Sequence, residues 1–127
     1  MLNADGQTTV VGDRELLHRG FENVLRNAIR HAPERTPIEV DSRILDGSAT
    51  ITIRDHGSGV PEEALASIFE PFYRVGNDRS RSDGGVGLGL AIARRAIELH
   101  HGKVIARNAG PGLRVIIDLP VADVVTA

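Results

Sequence analysis

Apolar residues follow two rhythms along this chain, and each predicts a kind of element. Leu17, Phe21, Val24, Leu25, Ala28 and Ile29 recur at three and four residues, which is one stripe of an α-helix. Asp13 stands where an N-cap belongs, and Pro33 should end the helix near His31 and Ala32. The period then changes to two. In residues 37–45, Ile38, Val40, Ser42 and Ile44 share one face, with Glu39, Asp41 and Arg43 on the other. Residues 49–55 alternate again, and Asp46 and Gly47 between the two runs suit a tight turn, so a hairpin is expected. The alternation carries Asp55 onto the apolar face at the strand end. A second helix is expected over residues 88–100, with Ala91, Ile92, Ala96, Ile97 and Leu99 inward and Gly102 at the C′ position. Residues 103–109 and 113–119 read as two more strands joined by Gly110, Pro111 and Gly112, with Leu113, Val115, Ile117 and Leu119 facing one way. Residues 9–11 read as a short strand, and Val60, Pro61, Glu62 and Glu63 start a short helix.

This order predicts an α/β (α+β) two-layer sandwich. A mixed, mainly antiparallel sheet of about five strands carries about three helices on one face. The other face is polar, with Glu39, Asp41, Arg43, Thr50, Thr52 and Arg54. The domain spans residues 9–120, between a loose segment 1–8 and a tail 121–127.

Composition narrows the function classes. The 127 residues suit one domain with a two-layer core. A net charge of -2 argues against a general nucleic-acid or membrane surface. The absence of cysteine excludes disulfides, thiol catalysis and cysteine metal sites. No apolar run is long enough to span a bilayer, and no signal peptide is visible.

Three places carry candidate chemistry. Glycines crowd the stretch Gly84, Gly85, Gly87 and Gly89 just before the second helix. Such a segment either closes backbone N–H groups around phosphate or is a flexible loop with a helix start. Asn23 and Asn27 lie four apart on the first helix, followed by Arg30 and His31. Asparagine is a poor helix-interior residue, so the pair marks a ligand role or a polar flank. Asp55 needs donors, from backbone N–H groups or a ligand amine, and Gly57 and Gly59 permit close approach of a flat ligand. Phe69, Phe72 and Tyr73 beside Pro71 suggest a packed hinge, and residues 75–85 read as a lid, a binding loop or a disordered segment.

Four segments in order carry a resemblance. They are Asn23-Val24-Leu25-Arg26-Asn27-Ala28, Asp55-His56-Gly57-Ser58-Gly59, Phe69-Glu70-Pro71-Phe72-Tyr73-Arg74 and Gly85-Val86-Gly87-Leu88-Gly89-Leu90. Together they resemble the asparagine, first glycine, phenylalanine and second glycine boxes of sensor histidine kinases, over about residues 10–120. The resemblance implies the Bergerat ATP-binding fold, ATP and Mg²⁺ as ligands, and a protein-histidine kinase activity. By position, Asn27 resembles the magnesium ligand and Asn23 the first box asparagine near the phosphates. Arg30 resembles a phosphate contact, and His31 a residue near adenine and ribose. Asp55 resembles the acceptor of the adenine amino group, with Gly57 and Gly59 against the base and Tyr73 in the same pocket. Arg74 resembles a γ-phosphate contact. Gly85, Gly87, Leu88 and Gly89 resemble the phosphate loop and the start of its helix. Gly110 and Gly112 are better read as a hairpin turn than as a third glycine box, and Arg79 and Arg81 as solvated loop residues.

The resemblance also implies partners. None of His18, His31, His56, His100 and His101 has the context of a phosphate acceptor. The acceptor is therefore expected on separate dimerisation and histidine-phosphotransfer helices, with a response regulator downstream. The domain is expected to be a cytoplasmic monomer, without nucleic-acid or direct membrane contact, in a parent anchored at the inner membrane. ATPases of the same fold place a glutamate four residues before the magnesium asparagine, where this chain has Asn23; Glu22 lies about 100° away around the helix. A kinase is thus favoured over a related ATPase or a nucleotide-binding regulatory module.

Overall fold

A computed structural model of the chain describes residues 10–73 and 88–121. The first helix, α1, runs Arg14–His31. Asp13 caps it as expected, its side chain accepting from the Leu16 N–H at 3.0 Å. Ala32 is extended ahead of Pro33, which stops the helix. Strands β1 (Glu39–Leu45) and β2 (Ser48–Arg54) form the expected hairpin. Asp46 and Gly47 both have positive φ, 52° and 79°, which matches the right-handed twist of the flanking strands. Strand β3 (Lys103–Asn108) and strand β4 (Leu113–Pro120) follow helix α2 (Gly89–Leu99).

The sheet order is β1-β2-β4-β3, and every pairing is antiparallel. The described sheet therefore has four strands rather than about five, and no parallel pair. Val10 and Val11 form no strand; Val11 is 80% exposed and Asp13 already begins α1. The expected short helix is two 3₁₀ turns, Glu62–Ala64 and Ser67–Phe69. Residues 1–8, most of the tail, and the expected lid lie outside the described residues.

The core lies between the sheet and the helical layer. Leu113, Val115, Ile117 and Leu119 are all buried, as the alternation of β4 requires. They meet Val24 and Ala28 of α1, Ile53 of β2 and Ile97 of α2. Ile97, Ile117 and Val24 are fully enclosed, each worth about 1.5–3 kcal/mol of burial. The two helices approach closely because small residues face each other. A Cβ on Gly20 would lie 3.2 Å from the Cβ of Ala96. This packing sets the rotation of α2. Its inward residues are Leu90, Ala93, Ala96 and Ile97, whereas Ile92 and Leu99 of the expected inner face are 38% and 51% exposed. A helix rich in Ala and Ile on several sides leaves its phase ambiguous until its neighbour is known.

The end of α2 also differs from expectation. His101, not Gly102, adopts the left-handed C′ conformation, with φ 65°. Its N–H donates to the Glu98 carbonyl at 3.0 Å, and the Gly102 N–H donates to that of Ile97 at 2.9 Å, which is the Schellman pattern. Gly102 is needed for a different reason: a Cβ there would sit 2.2 Å from the Asp118 carbonyl oxygen. His100 ties the two helices together. Its Nε2 accepts from the Asp13 N–H at 2.8 Å, and its Nδ1 lies 2.7 Å from the Ala96 carbonyl oxygen, so the Nδ1–H tautomer serves both bonds.

Candidate nucleotide site

Asp55 is the buried polar residue on which the site is built. It is 3% exposed and directly follows β2 on the inward phase. Its Oδ1 accepts from the Gly57 N–H at 2.8 Å and from the Leu113 N–H at 3.3 Å. Its backbone N–H donates to the Leu113 carbonyl at 3.0 Å. The carboxylate is therefore held in one orientation by donors on both sides. The structural role anticipated for it is present.

The loop after Asp55 is fastened from three distant parts of the chain. At Gly57 a Cβ would stand 2.3 Å from the His31 carbonyl oxygen, so the loop lies against the last turn of α1. Gly112, at φ 98°, leaves room for the Asp55 carbonyl, which a Cβ would approach to 1.8 Å. Asn108 provides the third tether. Its side-chain carbonyl accepts from the Val60 N–H at 2.9 Å, and its amide donates to the Val60 carbonyl at 2.7 Å and to Glu62 at 3.2 Å. This residue was not singled out from the sequence. The phase argument that selects Asp55 also selects Asn108, which ends β3 on the same face as Val104 and Ala106. The sequence reading places it within the strand over residues 103–109 but does not follow that strand's phase to its end.

Helix α1 supplies a second wall. Asn23 and Asn27 are half-buried and His31 is exposed; the spacing of four sets them along one line of the helix. His31 reaches the Gly57 loop through its carbonyl oxygen. At the other end of the line, Gly89 opens α2, and a Cβ there would lie 3.9 Å from that of Asn23. Leu88 is the N-cap residue of α2 and makes no side-chain cap bond. The structure thus gathers Asp55, Gly57, Asn23, His31, Leu88 and Gly89 around one flank of α1. Arg30 is exposed in its last turn. Gly59, at φ 75°, fits beneath the Asn108 side chain.

The phenylalanine segment is only partly packed. Phe69 is 3% exposed and Tyr73 packs on the core, but Phe72 is 69% exposed, with φ 67°, so the segment is not the fully packed hinge expected. Arg74, Gly85 and Gly87, together with Arg79 and Arg81, lie outside the described residues. Glu22 stays off the site's line and pairs with Arg26 at 3.4 Å. No helix among the described residues is long and apolar enough to cross a membrane.

Known proteins are similar to this chain in sequence and in fold. Residues 12–123 match the family described as histidine kinase-, DNA gyrase B-, and HSP90-like ATPase. The sensor histidine kinase CpxA of Escherichia coli (strain K12) is 42% identical over 116 residues, covering 91% of this chain and 25% of that protein. The chain thus spans about a quarter of the length of the curated relatives it matches. Among solved structures, a mycobacterial sensor histidine kinase, MprB, superposes with a TM-score of 0.82 at 33% identity, covering 91% of this chain and 78% of that one. Full-length ShkA in complex with AMPPNP gives 0.77 at 29% identity, over 94% of this chain and 24% of that one. With four-fifths or more of its length matched in sequence and in fold, the chain belongs to the histidine kinase-, DNA gyrase B- and HSP90-like ATPase family, as the ATPase domain of a sensor histidine kinase.

Proposed function

We propose that this domain binds ATP with Mg²⁺ and presents the γ-phosphoryl group to a histidine on a separate dimerisation helix. The observation that carries the reading is the fixed Asp55 carboxylate beside the asparagine line of α1. With Oδ1 engaged by two backbone donors, Oδ2 is the oxygen offered to the adenine amino group. Gly57 and Gly59 let the loop pack against the His31 carbonyl and the Asn108 side chain, which fixes the surface beside Asp55 on which a flat base would lie.

The triphosphate would run along α1 toward the start of α2. Asn23, Arg30 and the first N–H groups of α2, which no carbonyl within a helix can take, would meet its oxygens, joined by Gly85, Gly87 and Arg74 as the family resemblance implies. Mg²⁺ would be held by the amide oxygen of Asn27 and would neutralise phosphate charge. The described residues contain no cluster of three or more His, Asp or Glu for a metal. One amide oxygen supplemented by phosphate oxygens and water suits Mg²⁺ better than an all-protein cage does. In such transfers the protein positions reactants and stabilises charge, and these residues do both. Glu22, engaged with Arg26, is not placed to activate water, which favours transfer over hydrolysis. The response regulator would receive the phosphoryl group from the acceptor histidine, and ATP supply sets the domain on the cytoplasmic side.

Calorimetric titration with ATP and ADP, with and without Mg²⁺, tests binding. Adding a purified helical hairpin bearing a candidate histidine and γ-labelled ATP then tests transfer. The expected result is Mg²⁺-dependent binding, lost in Asn27→Asp, and label on the hairpin. Binding with no transfer to any hairpin would support a regulatory module instead. Steady phosphate release without an acceptor would make the domain a hydrolase.

A further inference from the structure

The sheet face turned away from the helices carries an arrangement that folding alone does not explain. Register places Glu39, Arg54, Arg114 and Arg107 side by side in one row across all four strands. Arg114 thus has an arginine directly opposite on each side. Like charges in such pairs destabilise a sheet, where alternating charges would stabilise it. Arg54 finds partial relief, donating to the Pro111 carbonyl at 3.0 Å and lying 3.9 Å from Glu39. Its Nε is shielded from solvent and has no hydrogen-bond partner among the described residues. Among the described residues neither Arg107 nor Arg114 makes an ion pair. The next row brings Ile116 opposite Ile105, and Ile105 is 41% exposed on this open face. A groove of about 340 Å³ runs over the same surface, lined by Glu39, Asp41, Arg43, Thr50, Thr52, Arg54 and Arg114.

Local conflict of this kind is expected at functional sites, where a partner relieves it. We propose that the Arg54–Arg114–Arg107 row docks an acidic amphipathic segment of a partner protein. Strands lie about 4.8 Å apart, so the row offers guanidinium groups at nearly the 5.4 Å interval of successive helical turns. A segment with carboxylates one turn apart would pair with the row, guanidinium to carboxylate, and set its apolar flank on Ile105 and Ile116. A nucleic acid fits less well. Glu39, Asp41 and Asp118 stand on the same face and repel a continuous line of phosphates, and phosphates make no use of the isoleucines.

The test uses the 127-residue chain and two synthetic helical peptides. One carries glutamates one turn apart beside a leucine stripe; the other has glutamine in their place. Amide chemical shifts are followed by NMR during titration, and affinities are measured with the parent and with Arg107→Glu/Arg114→Glu. The glutamate peptide should move the amides of Arg54, Ile105, Arg107, Arg114 and Ile116. The double reversal should weaken it at least about tenfold and leave ATP-analogue affinity within about twofold, because the row lies on the far side of the sheet from α1. The single variant Arg114→Glu should also raise the melting temperature by about 2–4 °C, since it sets a carboxylate between Arg54 and Arg107 and turns both repulsive pairs into attractive ones. Arg107→Gln/Arg114→Gln, which removes charge without reversing it, gives the same comparison if the reversed variant does not fold. Equal binding of the two peptides, shifts scattered away from the row, or tighter binding of a single-stranded oligonucleotide to these residues would overturn the proposal.

Discussion

Substituting Asp55 by asparagine separates bracing the loop from recognising the base. The amide oxygen of Asp55→Asn can still accept from the Gly57 and Leu113 N–H groups, now bonded at 2.8 and 3.3 Å. Weakening two charge-assisted bonds to neutral ones should lower stability by about 1 kcal/mol. The other position changes sign, since an NH₂ donor replaces the oxygen offered to the adenine amino group. One charge-assisted bond is lost and two donors are set facing each other in a buried place. Together these effects come to about 3–4 kcal/mol, or roughly 150- to 900-fold in affinity. Guanine presents an acceptor where adenine presents an amine, so the same substitution should narrow the preference for ATP over GTP. Displacement of a fluorescent ATP analogue by each nucleotide measures this, with thermal melting as the control. Asp55→Ala is the companion variant: it orphans both N–H groups and should lose about 2–4 kcal/mol of stability. If folded Asp55→Asn holds ATP within about threefold of the parent, Asp55 is a loop brace and the base lies elsewhere.

Three further outcomes follow from the same contacts. Asn108→Asp should be more damaging than Asn108→Ala, because a carboxylate would face the Val60 carbonyl and Glu62 where an amide now donates; melting temperatures should fall in that order, and ATP affinity with them. Gly112→Ala must both adopt φ 98° and clear the Asp55 carbonyl, so a loss of about 3 kcal/mol or more is expected by urea titration. His100→Phe leaves the Asp13 N–H without its acceptor at the start of α1 and should cost about 1–3 kcal/mol, while nucleotide affinity of the folded protein stays unchanged.

Much of the fold was legible because local chemistry and tertiary packing agree. Asp13, Pro33 and the Asp46–Gly47 turn act on backbone within a few residues of themselves, and β4 alternates cleanly because one of its faces is the core. The rest depends on neighbours distant in sequence. The rotation of α2 is decided by Gly20 meeting Ala93 and Ala96, residues more than seventy positions away. The strand predicted at residues 9–11 has the right composition, but Val10 and Val11 find no pairing partner before α1 begins. In the site, Asp55 was legible from its phase, because a carboxylate at an inward position is conspicuous. Asn108 does the same kind of work unnoticed, because its partners Val60 and Glu62 lie more than forty positions away and nothing local marks it.

The triple fastening of the loop after Asp55 bears on how the site divides its labour. The carbonyl of His31, the side chain of Asn108 and the turn at Gly112 hold that loop before any ligand arrives, so little ordering entropy is lost on binding there. A base seated on so rigid a surface makes the same contacts before, during and after phosphoryl transfer. Such contacts deepen ATP, ADP and transition state alike: they set how much nucleotide is bound, not how fast it reacts. On the proposed function, turnover would then be governed at the other end of the asparagine line, where Asn23 of α1 meets the start of α2. A compound that fills only the adenine end would compete equally with substrate and product, whatever stage the reaction has reached.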